Sequence, residues 1–228
     1  MKINRFFIST SIILALMLSA CSIAVETFSG TPQTGERISD TNIFPLFTET
    51  YTINTAEIYL VPFVDYINNP ERLNLTCVVS AIYDQDINVV PEGFKAYAVS
   101  NINTNLPVSA RWHGIGYEYK NDGFAATTNM DPWVNGNLHF RLKTTLPYVF
   151  VGMRDGKLEG TGEYWIDVKN IPDVTYNNDG NWYKITVGLT NFSETIGINN
   201  IGMFFMLKAT NATTNTVFEY DDVYWSKD

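Results

Sequence analysis

The chain is poor in the residues most catalysis relies on. It carries two histidines, His113 and His139, and two cysteines, Cys21 and Cys77, in 228 residues. Histidine-centred acid–base chemistry therefore has little to draw on. No stretch reads Gly-x-Ser-x-Gly or His-Glu-x-x-His, which removes the familiar serine-hydrolase and zinc-protease signatures. Positive charge is scarce as well, with 15 Lys and Arg against 24 Asp and Glu and a net charge of −9. Such a balance argues against nucleic acid and anionic lipid as partners. No apolar run reaches the roughly 20 residues needed to span a bilayer. No window of eleven or more residues keeps a helical period, so helix should be nearly absent.

What is present begins at the N-terminus. Met1-Lys2-Ile3-Asn4-Arg5 supplies two positive charges, Phe6 to Leu18 is apolar, and Leu18-Ser19-Ala20-Cys21 follows at once. A charged start, a short apolar run and a small-small-Cys ending resemble a bacterial lipoprotein signal. The resemblance implies that residues 1–20 are removed, that Cys21 is lipidated, and that the lipid holds the protein on a membrane while the rest stays aqueous. Ser22, where an acid could stand, points to the outer membrane or cell surface. Removing residues 1–20 takes away Lys2, Arg5 and no acid, so the mature charge falls from −9 to −11. Cys77 is then the one remaining thiol, which excludes an internal disulfide. Its apolar setting, Leu75-Thr76-Cys77-Val78-Val79, reads as a buried, inert cysteine.

Residues 21–42, rich in Ser, Thr, Gly, Pro and acids, read as a lipidated cysteine on a flexible tether, and residues 43–228 as one domain. Short runs of Val, Ile, Tyr, Phe and Trp between Asn/Asp/Gly turns predict an antiparallel β-sandwich. Strand candidates include Phe44 to Tyr51, Ile58 to Val64, Leu73 to Val79, the alternating stretch after Pro91-Glu92-Gly93, Ala110 to Glu118, Gly136 to Lys143 and Tyr148 to Asp155. The last third adds four more: Glu163 to Val168, the strand after Asp179-Gly180-Asn181-Trp182, a hydrophobic strand around Phe204, and Phe218 to Trp225.

The succession Glu163-Tyr164-Trp165-Ile166-Asp167-Val168, Asp179-Gly180-Asn181-Trp182 and Tyr220-Asp221-Asp222-Val223-Tyr224-Trp225 resembles the C-terminal half of bacterial carbohydrate-binding modules with the galactose-binding-like jelly roll. Pro91-Glu92-Gly93-Phe94-Lys95 matches a further strand start of those modules. The chain departs from them at Val187-Gly188-Leu189-Thr190-Asn191-Phe192, where their usual proline is missing. The resemblance implies an all-β jelly roll, a glycan ligand and a structural Ca²⁺. Its ligands would fall on Glu49, Glu92 and Asp222, helped by the Lys95 carbonyl, and oxygen donors from several strands suit calcium. The alternative at Asp221-Asp222 is a carboxylate satisfied by backbone N–H groups, one of the pair facing in and one out.

Alternation also suggests where a sugar would land. His113, Ile115 and Tyr117 share one face of their strand, and Trp112, Gly114 and Gly116 the other. Tyr148, Phe150, Gly152 and Arg154 lie opposite Val149, Val151 and Met153, while Glu163, Trp165 and Asp167 lie opposite Tyr164, Ile166 and Val168. If the strands bearing Trp112, Arg154, Trp165 and Phe204 join one sheet, their outward residues form an aromatic platform. Flat apolar patches of sugar rings stack on indole faces, and the hydroxyls need polar neighbours. Trp112, Arg154, Asp155 and Trp165 are the expected ligand-binding residues. The competing expectation is that these aromatics are core, with the faces inverted.

An enzyme is the weaker expectation. Glu219-Tyr220-Asp221-Asp222 lacks the final acid of the Glu-x-Asp-x-x-Glu strand of laminarinase-like glycosidases. A polysaccharide lyase could use His139 with Arg141 or Tyr148 with Arg154, both more simply read as solvated strand positions. A surface lipoprotein that captures glycan beside a partner carbohydrate-active enzyme leads, and a structural or adhesion lipoprotein without sugar binding follows. Cys21→Ser should leave an unlipidated precursor that keeps residues 1–20, checked by intact mass and metabolic lipid labelling. Cleavage of the wild-type chain anywhere but before Cys21 would refute the assignment.

Overall fold

The computed structural model describes residues 39–48, 50, 57–64, 77–84, 86, 90–93, 95–101, 112–120, 126–156, 162–172, 174–210 and 216–227. The expected signal peptide, Cys21, most of the tether and Glu49 lie outside the described residues. Eleven described strands run in chain order: β1 Ile43–Phe47, β2 Ile58–Val64, β3 Cys77–Tyr83, β4 Lys95–Asn101, β5 His113–Tyr119, β6 Asn137–Thr144, β7 Val149–Asp155, β8 Glu163–Asp167, β9 Trp182–Gly188, β10 Ile201–Ala209 and β11 Thr216–Ser226. The third is displaced relative to the expected Leu73 to Val79, of which residues 73–76 are not described. Helix among the described residues amounts to one four-residue turn, Thr190–Ser193, and three-residue 3-10 turns.

Two antiparallel sheets form a sandwich, and the all-β jelly-roll expectation holds. One sheet has the order β3-β4-β11-β6-β9, with β1 also paired to β11; the other has the order β2-β5-β10-β7-β8. Successive strands often change sheet, so residues far apart in sequence face each other across the core. In β6 the alternation is complete: Leu138, Phe140 and Leu142 are fully buried, and the residues between them are half-exposed. Val149, Val151 and Met153 of β7 and Ile115 and Tyr117 of β5 meet them from the other sheet. A core of this kind is held mainly by apolar area removed from water, roughly 25 cal/mol per Å².

Polar links also cross the apolar layer. Trp225 of β11 donates its indole N–H to the Phe204 carbonyl of β10 at 3.1 Å, and the Tyr117 and Tyr220 hydroxyls lie 3.2 Å apart. Each gives a buried polar group a partner that packing alone would deny it. β10 also departs from strict alternation. Its register shifts between Met203 and Phe205, and Phe204 and Phe205 are both buried in the core. Phe204 packs on Phe44 and Trp225, so it belongs to the interior and not to the expected platform.

Cys77 is half-buried, packs against the core cluster, and donates its thiol to the Gly114 carbonyl at 3.4 Å, a less enclosed setting than its neighbours suggested. His113 is wholly buried and stacks on Phe218 from the opposite sheet, centroids 5.4 Å apart. Burial pushes its pKa from the ordinary 6.5 down to about 4, and the nearby Val99 backbone offsets only part of the effect. The unfolded chain therefore takes up this proton more readily than the folded one between those values. The His113 contribution to stability should be constant above pH 6.5 and fall as pH drops toward 4. His113→Phe, which keeps an aromatic ring against Phe218, should lose about 2–3 kcal/mol less than wild type between pH 6.5 and 4.5. Denaturant melts at the two pH values check this, and an equal loss in both proteins would refute it.

Candidate functional site

The outer face of the five-stranded sheet collects the residues that alternation had singled out. Residues directly opposite in an antiparallel pair present their side chains on the same side. One row across the sheet reads Val61, Gly116, Met206, Gly152 and Trp165. The row on one side of it contains Gly114, Lys208, Phe150 and Asp167, and the row on the other contains Tyr59, Glu118, Met203, Arg154 and Glu163. Trp112 sits immediately before β5, and its ring comes within reach of the same Lys208. The strands bearing Trp112, Arg154, Trp165 and Phe204 thus share one sheet.

Trp165 is half-buried and lies opposite Tyr164 and Ile166, which pack against the core. The faces are not inverted. The indole rests on Gly152: a Cβ added there would stand 2.6 Å from Trp165 Cε3 and 2.9 Å from the Tyr164 carbonyl. Only glycine lets the ring lie that close to the strand beside it. Glu163, two residues earlier on the same face, accepts the indole N–H at 3.1 Å and fixes the ring's direction. The Lys208 ammonium stands 3.8 Å from the Trp165 ring centroid and 5.8 Å from those of both Trp112 and Phe150. Sequence reasoning had placed Phe150 on this face without a role, and the structure sets Lys208 directly opposite it. Their gathering depends on strand order, which spacing does not reveal.

Two expected ligand-binding residues occupy different settings. Arg154 is on the outer face but only 4% exposed, beside equally buried Met203 and Glu118, so it belongs to the floor and not to a solvated rim. Asp155 has the opposite parity and is 2% exposed, and its carboxylate accepts the Gly197 N–H at 3.2 Å. It anchors a turn and is not brought to the aromatic face.

The acidic end of β11 forms a second cluster. Its expected alternation fails, because β11 has a bulge: Asp222 and Val223 together oppose Phe140, and Asp222 adopts φ +52°. Aspartate tolerates this left-handed conformation better than most residues. The extra residue buries both Asp221 and Asp222 instead of sending one outward. Asp221 accepts the Asp222 N–H at 2.8 Å and the Glu92 N–H at 3.0 Å, so it is the backbone-satisfied carboxylate. Burial pushes its pKa up to about 8; the Asp222 N–H pulls it back, and the Glu92 charge adds to the rise. Asp222 is raised by burial and by the Glu92 charge, with Arg141 Nε at 3.4 Å opposing.

Glu92 accepts from the Thr48 hydroxyl at 3.1 Å and from both the backbone N–H and the hydroxyl of Thr50. The Lys95 ammonium lies 4.7 Å from the Tyr97 ring centroid. Oxygen donors from three chain segments thus meet here, the chemistry a hard cation takes. Among the described residues, however, no group of three or more His, Cys, Asp or Glu side chains forms a ready metal-binding set.

The two lyase pairs are not assembled. Tyr148 is exposed and precedes Arg154 by six residues, roughly 20 Å along a strand. His139 stacks on Tyr224, meets the Thr186 and Ser226 hydroxyls at 3.1 and 2.8 Å, and is kept neutral, its pKa lowered to about 4 first by burial and then by Lys184. Arg141 is turned to Asp222.

Comparison with solved structures gives the fold a name. The family 30 carbohydrate-binding module of a cellulosomal cellulase from Clostridium thermocellum matches with TM-score 0.53 and 12% identity, over 82% of this chain and 98% of that one. Two further structures of family 30 modules match with TM-scores of 0.52 and 0.50 at 13% identity, over 82% of this chain and 88% and 99% of theirs. The chain has the jelly-roll fold of carbohydrate-binding modules. Comparisons of the sequence with protein families and with curated proteins found no match. Identities this low establish the architecture alone, so the ligand has to be argued from the aromatic face itself.

Proposed function

We propose that this protein is a non-catalytic lipoprotein of the bacterial envelope, held at the outer membrane or cell surface through Cys21, that binds a polysaccharide or oligosaccharide on the outer face of its five-stranded sheet. The observation that carries the reading is the half-buried Trp165, packed closely against Gly152, with Trp112 and Phe150 gathered around the same Lys208. A soluble domain has a direct use for an indole in its core, and little use for one held at the surface by a missing side chain beneath it. Flat, partly exposed aromatic surface with nearby hydrogen-bonding groups suits a sugar ring's apolar patch and its ring of hydroxyls. The solved modules of like fold are named as carbohydrate-binding, which supports the same class of ligand. A partner carbohydrate-active enzyme would use such a protein to hold substrate near the membrane.

Calcium is part of the proposal. Glu92 and Asp222, with Glu49 beside Thr48 and Thr50 and the Lys95 carbonyl, are the residues that would hold it. The support is electrostatic: beyond burial, the Glu92 charge raises the proton affinity of both Asp221 and Asp222, and a divalent ion would relieve that repulsion. Its part would be structural, tying the turn at Pro91–Gly93 and the chain after β1 to the β11 bulge.

Trp165→Ala should weaken glycan binding by about 1–3 kcal/mol, as for an aromatic anchor, with only a small change in melting temperature. Affinity electrophoresis of the detergent-solubilised full chain against a polysaccharide panel, paired with a thermal melt, reads both. A collapse in stability with unchanged glycan affinity would return Trp165 to a purely structural role, and wild-type binding to no glycan would favour the adhesion reading. EDTA should lower the wild-type melting temperature by a few degrees, about 1–2 kcal/mol for a domain of this size. Asp222→Asn, which keeps a residue tolerant of positive φ, should abolish that response. An unchanged melt after metal removal verified by elemental analysis would exclude the cation.

A further inference from the structure

We infer that Lys208 determines which glycans the aromatic face accepts, favouring those with a carboxylate or sulfate beside the stacked ring over their neutral counterparts. The inference rests on the glycan-binding reading of this face. Its starting point is that Trp165 is not an open platform. Gly152 takes one side of the indole, and the Lys208 ammonium stands over the ring at 3.8 Å from the centroid, the separation at which a sugar ring would stack. Trp112 and Phe150, each 5.8 Å from the same ammonium, add their rings to a partly enclosed cationic site. A cation held among aromatic faces is stabilised by the rings' quadrupoles, more so as water is excluded.

A sugar that stacks on Trp165 has to displace this ammonium. A neutral ring offers hydroxyls, which replace the lost ring contact with ordinary hydrogen bonds. A ring bearing an anion offers the displaced ammonium a charge-assisted bond at the stacked ring's edge, and such bonds are roughly twice as strong as neutral ones. Two carboxylates that share the face accept other donors. Glu163 takes the Trp165 indole N–H, and Asp167 takes the Lys169 backbone N–H at 3.0 Å. Lysine suits the part because its ammonium rides on a flexible four-carbon stem and can swing while keeping its charge.

The test compares wild type with Lys208→Met, which keeps the length of the stem without the charge. Both proteins, as full chains in detergent, are titrated with polymers matched in backbone and differing in charge: hydroxyethyl- and carboxymethylcellulose, neutral and glucuronate-bearing xylan, and galactan and polygalacturonate. Wild type should prefer the charged member of whichever pair it binds, and the preference should shrink as salt is raised. Lys208→Met should gain roughly threefold to tenfold in affinity for the neutral member, the scale of a lost cation–π contact, and should lose the preference for the charged one. The same neutral-to-charged ratio in both proteins would overturn the assignment of Lys208 while leaving glycan binding intact. Binding of none of the six polymers by either protein would remove the glycan reading and this inference together.

Discussion

The bulge in β11 is the constraint on which the rest of the sandwich depends. β11 is paired on both sides, with β6 along one edge and β4 followed by β1 along the other. Before the bulge, Phe218 and Tyr220 point into the core. Without an extra residue at Asp222, Val223 and Trp225 would point away from it. The bulge restores both to the interior, where the Trp225 indole reaches the Phe204 carbonyl of the opposite sheet. The local consequence is that two neighbouring carboxylates are buried together. Asp221 is steadied by the Asp222 and Glu92 N–H groups, and the turn bearing Glu92 is thereby fixed to β11. Inter-sheet packing and the acidic cluster are two results of one inserted residue.

Most of the strands were legible because one side of each is apolar and the other is not. Ile58–Val64 and Asn137–Thr144 could be read almost to the residue, and the parity of Trp165 against Tyr164 and Ile166 followed from the same rule. What escaped were the places where the period of two breaks. The Asp221-Asp222 pair was expected to split between the faces, and Phe204 was expected outside. Both expectations fail at register shifts, where two residues oppose one, and a single sequence carries no mark of such an insertion. Asp155 escaped for a different reason: as the last residue of β7, it binds the Gly197 turn, which a strand rule cannot anticipate.

The aromatic face was half legible. That Trp165, Phe150 and Trp112 lay on the polar sides of their strands was open to inspection. That they share one cation was not, since Lys208 belongs to β10, between β5 and β7 in the sheet and far from Trp112 in sequence. Gly152 shows the same limit. A glycine within a strand signals close approach by something, but only the pairing of β7 with β8 shows that the Trp165 indole is what approaches.

On the proposed function, the two faces of the β5–β10–β7–β8 layer divide the labour between stability and recognition. Inward, Ile115, Leu207, Val151 and Ile166 fill the core without polar atoms, and they hold the strands at fixed spacing. Outward, the same spacing sets the distance from Lys208 to three rings. A change in core volume that shifted β10 against β7 by a fraction of an ångström would leave the fold standing. It would still alter the ammonium's fit over Trp165, because the contact spans strands and no local sequence holds it. The proposed recognition on this face would therefore be a property of the packed sandwich, and the residues that tune it would include core positions that never meet a ligand.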